Sequence, residues 1–273
     1  TGQEASTIHR LLESQLDPAT GQLIFTRDED NPLKAHAVIV DETSMVDLPL
    51  LASLLRALPT GCRLILVGDP DQLPPVGPGC PLSDILRSGV VPAVRLTEIF
   101  RQAQESLIVM NAHRVNSGVM PDLKTVTSDF FFLRRRTEEA VASTIGDLCR
   151  TRLPDRMGIP PEEIQVLSPT RKGPTGTASL NLLLQAQLNP PAPDKKEKKW
   201  GDFSFREGDR VMQVKNNYDV LWEETDGSGV GMGIFNGDIG RIEQIDKDSN
   251  LVLVDFEGRR AVYSPDMMTQ LEP

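Results

Sequence analysis

The chain is poor in cysteine and contains no long apolar run, and both absences exclude classes of protein. Its 273 residues include three cysteines, Cys62, Cys80 and Cys149. These are odd in number and far apart, which excludes a disulfide framework and a zinc site. No stretch of about 18 apolar residues is present, so no membrane span is expected. No basic and then apolar leader opens the chain, so no signal peptide is expected. We therefore expect a cytoplasmic protein.

Positive charge is also scarce. The 29 Lys+Arg residues against 39 Asp+Glu residues give a net charge of -10, whereas proteins that bind nucleic acid through bulk charge are normally basic. Any contact with nucleic acid must then come from a local groove. The content of hydrophobic residues, 39%, is that of an ordinary globular protein of one or two domains.

The phosphate-binding loop of P-loop NTPases is also absent from the sequence. That loop has the pattern Gly-x-x-x-x-Gly-Lys-[Ser/Thr], and no lysine in this chain follows a glycine. Residues 169–177 (Pro-Thr-Arg-Lys-Gly-Pro-Thr-Gly-Thr) have a similar composition in a different order. They predict a basic loop that opens a helix.

A strand–helix–strand unit is present in the first third of the chain. Residues 37–40 and 63–67 are short apolar runs, and apolar residues three and four apart between them predict a helix. Pro49 is tolerated only in the first turn of a helix, which sets the helix start close to Asp47. The two runs predict parallel, buried strands of one sheet.

Acidic residues follow both predicted strands. Asp41 and Glu42 come directly after the first, and Gly68-Asp69 ends the second. Ligands of open α/β sheets bind beyond the carboxyl ends of the strands, so these residues predict one crevice. Beside a nucleotide, Asp41 would hold magnesium through its water shell and Glu42 would polarise the attacking water. The alternative is a pair of solvated turn acids, or acids at a helix start.

A proline-rich loop, residues 68–79, follows the second strand. A glutamine held in rigid backbone beside a phosphate site is suited to sense the terminal phosphate, so Gln72 is a candidate site residue. The alternative is a rigid surface loop without a site.

The middle of the chain predicts a second α/β unit. Strand-like runs occur at 129–133 and 164–167, and helical runs at 138–149 and 177–188. Residues 189–199, rich in proline and then in lysine, predict a linker or exposed loop.

From residue 200 onward, short strand-like runs separated by turns predict a small β-barrel. The runs lie at 210–214, 239–245, 251–256 and 260–263. The glycine-rich stretch 227–233 predicts a mobile loop.

Several of these segments resemble motifs of superfamily-1 helicases, and most closely those of the RecD-like group. Asp41-Glu42-Thr43-Ser44-Met45, loop 68–79 and Leu96-Thr97-Glu98-Ile99-Phe100-Arg101-Gln102 resemble motifs II, III and IV. Residues 7–12 (Thr-Ile-His-Arg-Leu-Leu) resemble that group's early DNA-contacting motif. Residues 208–213, 216–219 and 235–240 resemble its inserted Src-homology-3-like barrel.

The resemblance implies an α/β fold of parallel-sheet RecA-like helicase domains with a small Src-homology-3-like β-barrel insertion. Residues 1–117 would belong to the first RecA-like domain, 118–199 to the second, and 200–273 to the barrel inserted in the second. The Walker A segment would precede Thr1 and the last two helicase motifs would follow Pro273. The chain is therefore expected to be an internal piece of a helicase, inactive alone.

The resemblance also implies cofactors and catalytic residues. The protein would use ATP and Mg²⁺, with Asp41 as the magnesium ligand and Glu42 as the catalytic base. Gln72 would sense the γ-phosphate, and Arg101 would stabilise its charge as an arginine finger does. From spacing alone, the alternative for Arg101 is a surface salt bridge with Glu98 or Glu105.

Candidate DNA contacts lie in three regions. Thr7 and His9 belong to the first. In the second, backbone amides at a helix start beside an Arg-Lys pair make a phosphate seat, and its residues are Thr170, Arg171 and Lys172. The third lies in the barrel and offers an aromatic face for base stacking. Its residues are Lys215, Asn216, Tyr218, Phe235 and Asn236.

Plain structural roles are the alternatives for the barrel candidates. Tyr218 and Phe235 would then be barrel core, and Asn236-Gly237 would be simply a turn.

The function implied by the resemblance is that of an ATP-dependent DNA helicase. It would translocate 5′ to 3′ on single-stranded DNA and unwind duplex in repair or recombination. Its partners would be single-stranded DNA and single-strand/duplex junctions, with no membrane. Whether it acts alone or with nuclease-complex subunits, as the α subunit of an exodeoxyribonuclease V complex, stays open.

Two other function classes are weighed against the helicase. A non-enzymatic single-strand-DNA-binding or adaptor module would explain the barrel but not the acidic strand ends. A metal nuclease would use Asp41, Glu42, Asp69 and Asp71, but the sequence lacks a motif that would hold two metals.

Overall fold

The computed structural model describes residues 5–16, 23–96, 105–126 and 129–273. The chain divides into two compact units between Phe132 and Leu133. The domain boundaries predicted after residues 117 and 199 stay predictions, because a compact unit can hold parts of more than one domain.

The first unit contains the predicted strand–helix–strand arrangement. Its elements, in chain order, are α1 (Ile8–Leu11), β1 (Ser14–Leu16), β2 (Leu23–Phe25), β3 (Ala37–Val40), α2 (Leu48–Ala57), β4 (Arg63–Leu66), α3 (Pro81–Ser88) and α4 (Leu107–Asn116). Strands β3 and β4 pair in parallel, with Val38 opposite Leu64. Helix α2 begins as predicted, because the Asp47 side chain accepts the Leu50 amide at 2.9 Å and Pro49 lies in the first turn.

One face of the β3–β4 pair is buried and the other is exposed, so the prediction of buried strands holds for one face only. Side chains alternate between the two faces of a strand. Val38 and Val40 pack with α2, whereas Ile39 and Ile65 are 58% and 48% exposed. The core on the covered face consists of Leu12, Leu33, Val38, Val40, Val46, Leu51, Leu54 and Ala57.

The second unit begins with three helices, α5 (Glu138–Asp147), α6 (Leu153–Met157) and α7 (Thr177–Leu188). The predicted helix at 177–188 is confirmed, and the one predicted at 138–149 ends two residues early. It continues into a π-helical turn, Leu148–Arg152.

The strands predicted at 129–133 and 164–167 are wrong, since both runs are irregular. A strand needs the hydrogen bonds of a neighbouring strand, and no strand among the described residues pairs with either run.

The rest of the second unit is antiparallel sheet. The strands are β5 (Glu197–Trp200), β6 (Phe203–Arg206), β7 (Arg210–Gln213), β8 (Asn217–Glu224), β9 (Val230–Ile234), β10 (Ile239–Ile245), β11 (Val252–Phe256), β12 (Arg259–Tyr263) and β13 (Leu271–Glu272). Seven of them form one sheet in the order β13-β7-β10-β11-β12-β8-β9, and β5 pairs with β6. The sheet encloses a core in which Phe205, Phe256 and Tyr263 are fully buried. This sheet lies in the region where the sequence predicts the Src-homology-3-like barrel.

Two segments predicted as irregular are strands. The glycine-rich stretch contains most of β9, where Met232 pairs with Leu221 of β8. The lysine-rich linker contains most of β5, where Lys198 pairs with Phe205 of β6. Glycine and lysine have low strand propensity, but pairing with a partner strand overrides such a local preference.

Candidate functional site

The ends of β3 and β4 lie together at one edge of the sheet. The Val67 amide donates to the Val40 carbonyl at 2.8 Å, and the Thr43 amide donates to the Val67 carbonyl at 2.9 Å. The buried hydroxyl of Thr43 also donates to the Val40 carbonyl, at 3.0 Å. These bonds continue the pairing beyond the strands, so Asp41 and Asp69 follow two strands that end at the same edge of the sheet. The acidic crevice itself stays a prediction.

Glu42 has a left-handed backbone, with φ 50° and ψ 40°. This conformation is uncommon for a residue other than glycine and costs of order 1–3 kcal/mol. The Glu42 amide donates to the Asp41 Oδ1 at 2.9 Å, which helps to hold the turn. Both side chains are exposed, so two consecutive carboxylates reach solvent at the strand end.

Gln72 lies beside this turn. The buried Ser44 hydroxyl donates to the Gln72 Oε1 at 3.4 Å, and the Gln72 amide donates to the Asp69 carbonyl at 3.2 Å. A cavity of about 200 Å³ opens here, lined by Ser44, Gln72, Cys80, Leu82 and prolines of the loop. The structure thus brings together the Asp41–Ser44 segment and the predicted sensor.

The proline-rich loop is fixed at its far end by the start of α2. The Leu48 amide donates to the Pro78 carbonyl at 3.0 Å. A Cβ added at Gly77 would lie 1.8 Å from the Asp47 Oδ2, so only glycine fits against the capping carboxylate.

Asp71 fixes the loop on another side. Its Oδ2 accepts the Asn116 Nδ2 at 2.9 Å and the Arg95 Nη2 at 3.3 Å. Sequence reasoning gave neither partner a role, because contacts between positions 45 and 24 residues apart leave no local pattern.

A magnesium–nucleotide site is compatible with Asp41. Magnesium usually keeps several waters and binds one or two carboxylates together with substrate phosphates, and the exposed Asp41 offers such a carboxylate. Within the described ranges, no group of three or more His, Cys, Asp or Glu side chains could hold a metal ion. The acids of the nuclease alternative, Asp41, Glu42, Asp69 and Asp71, therefore do not form such a group. Arg101 and Glu98 lie outside the described residues.

Thr7 and His9 lie at helix α1. The Thr7 Oγ1 accepts the Arg10 amide at 3.3 Å as the N-terminal cap. The exposed His9 ring lies 5.7 Å from the Phe25 ring, measured between centroids. Thr7 has this structural role whether or not it contacts DNA. The DNA contacts of Thr7 and His9 therefore stay predictions.

The predicted phosphate seat before α7 is partly closed. The amides of Thr177 and Ala178 donate to the carbonyls of Thr170 and Arg171 at 3.0 and 3.4 Å, so these two amides are already engaged. The loop folds back this tightly because Gly176 has no side chain, and an added Cβ would lie 2.5 Å from the Lys172 carbonyl oxygen.

The cations of this loop differ in their surroundings. The Arg171 guanidinium forms an ion pair with Glu272. Lys172 is exposed, and its carbonyl accepts the Thr170 hydroxyl at 3.2 Å. Both cations stay predicted DNA contacts. Arg171 would have to leave Glu272 to bind a phosphate, whereas Lys172 is exposed.

The barrel candidates form one cluster. The Asn236 amide donates to the Asn216 Oδ1 at 2.9 Å. The rings of Tyr218 and Phe235 meet edge to face, with centroids 5.5 Å apart. Tyr218 is 38% exposed, so it is not barrel core. Lys215 is exposed beside the cluster, and the residues after Phe235 form the predicted turn.

A buried polar network contacts the backbone and side chains next to the barrel candidates. The fully buried Gln213 donates to the Lys215 carbonyl at 2.8 Å and to the Gln270 Oε1 at 3.1 Å. The Tyr263 hydroxyl donates to the Gln213 Oε1 at 2.9 Å, and burial raises the pKa of this phenol. The Asn217 Nδ2 donates to Gln270 at 2.9 Å. Sequence reasoning missed Gln270 and Tyr263, which meet Gln213 only in the folded chain.

A second buried network joins α7 to the barrel. The Asp209 carboxylate accepts the Gln185 Nε2 at 2.6 Å, the Asn189 Nδ2 at 2.7 Å and the Arg206 amide at 2.6 Å. Burial raises the pKa of Asp209, against the opposing effect of these hydrogen bonds. The Arg206 guanidinium pairs with Glu197 at 2.5 Å.

In the described part of the chain, no helix has the length and apolarity needed to cross a membrane.

Comparisons with known proteins bear on both units. A family model described as the ATP-dependent RecD-like DNA helicase SH3 domain matches residues 180–256, and one described as an AAA domain matches residues 1–78. The first match covers most of α7 and strands β5 to β11. The second covers β3, α2, β4 and most of the proline-rich loop.

Individual relatives match the chain over different lengths. The ATP-dependent RecD2 DNA helicase of Deinococcus radiodurans is 35% identical over 258 residues, which cover 94% of this chain and 31% of the relative. The RecBCD enzyme subunit RecD of Mycolicibacterium smegmatis is 44% identical over 86 residues, 32% of this chain and 15% of the relative. The chain thus spans about a third of the longer match.

A solved structure of Pif1 helicase from Bacteroides in complex with ADP-AlF3 and ssDNA is 21% identical to the chain, with a TM-score of 0.44. The match covers 94% of this chain and 60% of that one.

Proposed function

Because the chain belongs to the RecD-like helicase family, we propose that it forms part of an ATP-dependent DNA helicase. The enzyme translocates 5′ to 3′ on single-stranded DNA and unwinds duplex at single-strand/duplex junctions, acting in the cytoplasm in repair or recombination. The observation that carries the proposal is the shared edge of β3 and β4. There a strained turn exposes Asp41 and Glu42 while Ser44 contacts Gln72.

The chemistry assigned to these residues is hydrolysis of ATP. Bound ATP would supply the phosphoryl group, and Mg²⁺ would neutralise charge on its oxygens. Asp41 would hold the metal through its water shell, and Glu42 would accept a proton from the attacking water. Gln72 contacts the terminal phosphate, and Arg101 stabilises the charge that develops there. The role of Glu42 needs an exposed carboxylate at a fixed position, and the turn is suited to hold one.

DNA binding is assigned to a few individual side chains, because a protein with a net charge of -10 has no bulk attraction to phosphates. In the barrel, Tyr218 and Phe235 supply aromatic surface for stacking, and Asn216, Asn236 and Lys215 supply polar contacts. Lys172 supplies a phosphate contact before α7. Thr7, His9, Thr170 and Arg171 remain further candidates.

The proposal is tested by Glu42→Gln in the full-length protein. The amide cannot take up a proton, so ATP binding should persist while hydrolysis falls by on the order of 10²–10⁴-fold. Phosphate release with and without single-stranded DNA measures the rate, and a fluorescent ATP analogue measures binding. The control is Asp84→Asn, which removes an exposed carboxylate of α3 that pairs with Arg87. Normal hydrolysis by Glu42→Gln would show that Glu42 is structural.

Direction and function class need a second assay. Partial duplexes with a 5′ or a 3′ single-stranded tail are mixed with the protein and ATP, and the released strand is measured. We expect unwinding of the 5′-tailed substrate only. Equal unwinding of both substrates would contradict the direction, and DNA binding without hydrolysis or unwinding would support the adaptor alternative. Nuclease-complex subunits would appear as proteins that co-purify and raise unwinding.

A further inference from the structure

We propose that Asp71 is a positioning residue for ATP hydrolysis, which holds the loop that carries Gln72 through bonds to Asn116 and Arg95. The inference rests on the proposed ATPase function. It assigns Asp71 a part in that function, in place of the metal-ligand role of the nuclease alternative.

Asp71 and Gln72 are consecutive residues that contact different parts of the first unit. Gln72 faces the strand end, where its Oε1 accepts the Ser44 hydroxyl at 3.4 Å. The Asp71 Oδ2 accepts the Asn116 Nδ2 at 2.9 Å, and Asn116 is the last residue of α4. The loop therefore bridges the acidic turn and the end of α4 at the position of the predicted sensor.

The second bond of Asp71 leads toward the other predicted phosphate contact. Arg95 donates to the same Oδ2 at 3.3 Å, and it precedes Arg101 by six residues in the sequence. The Asp71 Oδ2 thus accepts hydrogen bonds from Asn116, at the end of α4, and from Arg95, which directly precedes motif IV in the sequence. A displacement of Asp71 would affect Gln72, its neighbour in the chain, directly.

A purely stabilising role does not account for this arrangement. The side chains of Asp71 and Arg95 are 39% and 68% exposed, and exposed ion pairs contribute little to stability. Two donors converging on one oxygen do, however, restrict the orientation of the loop. Catalysis depends on such orientation, since a misplacement of about 1 Å can reduce a rate on the order of 10²-fold.

The test is Asp71→Ala in the full-length protein, with DNA-stimulated phosphate release measured against ATP concentration. We expect kcat to fall by on the order of 10–100-fold, with the KM for ATP and the unfolding midpoint close to those of the unsubstituted protein. Asp71→Asn keeps an oxygen that can accept the Asn116 Nδ2, so it should recover part of the rate. The matched control is Asp84→Ala, which removes an exposed aspartate paired with Arg87 in α3 and should leave kcat unchanged.

Asn116→Ala tests the same bond from its other side and guards against misfolding of the Asp71 variant. It should also lower kcat, and combining it with Asp71→Ala should add little, because both remove one interaction. A normal kcat in Asp71→Ala or Asn116→Ala would overturn the proposal. So would a loss of kcat matched by a fall in the unfolding midpoint, which would indicate a structural role. Absence of hydrolysis in the unsubstituted protein would instead refute the proposed function, and this inference with it.

Discussion

The buried carboxylate of Asp209 should be one of the most important polar side chains for the stability of the second unit. Its relative exposure is 3%, and it accepts three hydrogen bonds, from Gln185, Asn189 and the Arg206 amide. Asp209→Ala removes both acceptor oxygens and with them all three hydrogen bonds. Because Gln185 and Asn189 lie in and directly after α7, the substitution should loosen the packing of that helix against the barrel.

The expected loss of unfolding free energy depends on which hydrogen bonds each donor keeps after the substitution. Hydrogen bonds to a charged group contribute about 1.5–3 kcal/mol each, which would give roughly 4.5–9 kcal/mol for three. Gln185 still donates to the Ser204 carbonyl at 2.7 Å, and Asn189 to the Glu207 carbonyl at 3.1 Å. Removal of a buried charge also relieves its desolvation cost. We therefore expect the free energy of unfolding to fall by about 3 kcal/mol.

Thermal unfolding followed by circular dichroism measures this effect. At about 2–4 °C per kcal/mol, the midpoint should fall by roughly 6–12 °C. The control is Asp248→Ala, an exposed aspartate in the turn between β10 and β11, which should change the midpoint very little. If Asp209→Ala unfolds at the temperature of the control, the carboxylate does not hold α7 to the barrel and the reasoning fails.

Three further predictions follow from the described contacts. Since burial raises the folded pKa of Asp209 above its unfolded value of about 3.9, its contribution to stability is complete below that pH and falls as the pH rises through the folded pKa. Urea unfolding at a series of pH values should show the unsubstituted protein losing stability relative to Asp209→Asn as the pH rises from the unfolded to the folded pKa of Asp209. A difference in unfolding free energy that does not change with pH would contradict this. Gly77→Ala should displace the Asp47 cap and lower the free energy of unfolding by about 0.5–2 kcal/mol, whereas Gly229→Ala, with only ordinary contacts, should not. In the full-length protein, Tyr218→Ala should weaken binding of single-stranded DNA by about 1–3 kcal/mol at every salt concentration, and Lys172→Ala should lower the log–log salt slope by about 0.7; anisotropy titrations that show neither change would place the DNA elsewhere.

The sequence predicted the elements whose signals are local. Helix α2 was predicted from its apolar spacing, with Asp47 and Pro49 marking its start, and α7 was predicted to the residue. The parallel pairing of β3 and β4 followed from two apolar runs separated by one helix. The association of the acidic turn with the Gln72 loop followed because parallel strands end at the same edge of a sheet.

Features that depend on distant partners could not be predicted. Strand β9 has a glycine-rich sequence and is a strand because β8 pairs with it. The irregular runs at 129–133 and 164–167 have strand-like composition but no strand beside them among the described residues. The engagement of Arg171 by Glu272 joins positions 101 residues apart. Such contacts depend on tertiary packing, which composition and periodicity do not record.

The left-handed backbone of Glu42 also has an evolutionary consequence. A glycine at this position would adopt the same turn without strain, so selection for stability alone would favour loss of the carboxylate. If Glu42 is the catalytic base, the strand end is a point where stability and activity oppose each other. A library of this protein selected only for heat resistance should then accumulate glycine at position 42, and the survivors should fold well but hydrolyse ATP poorly.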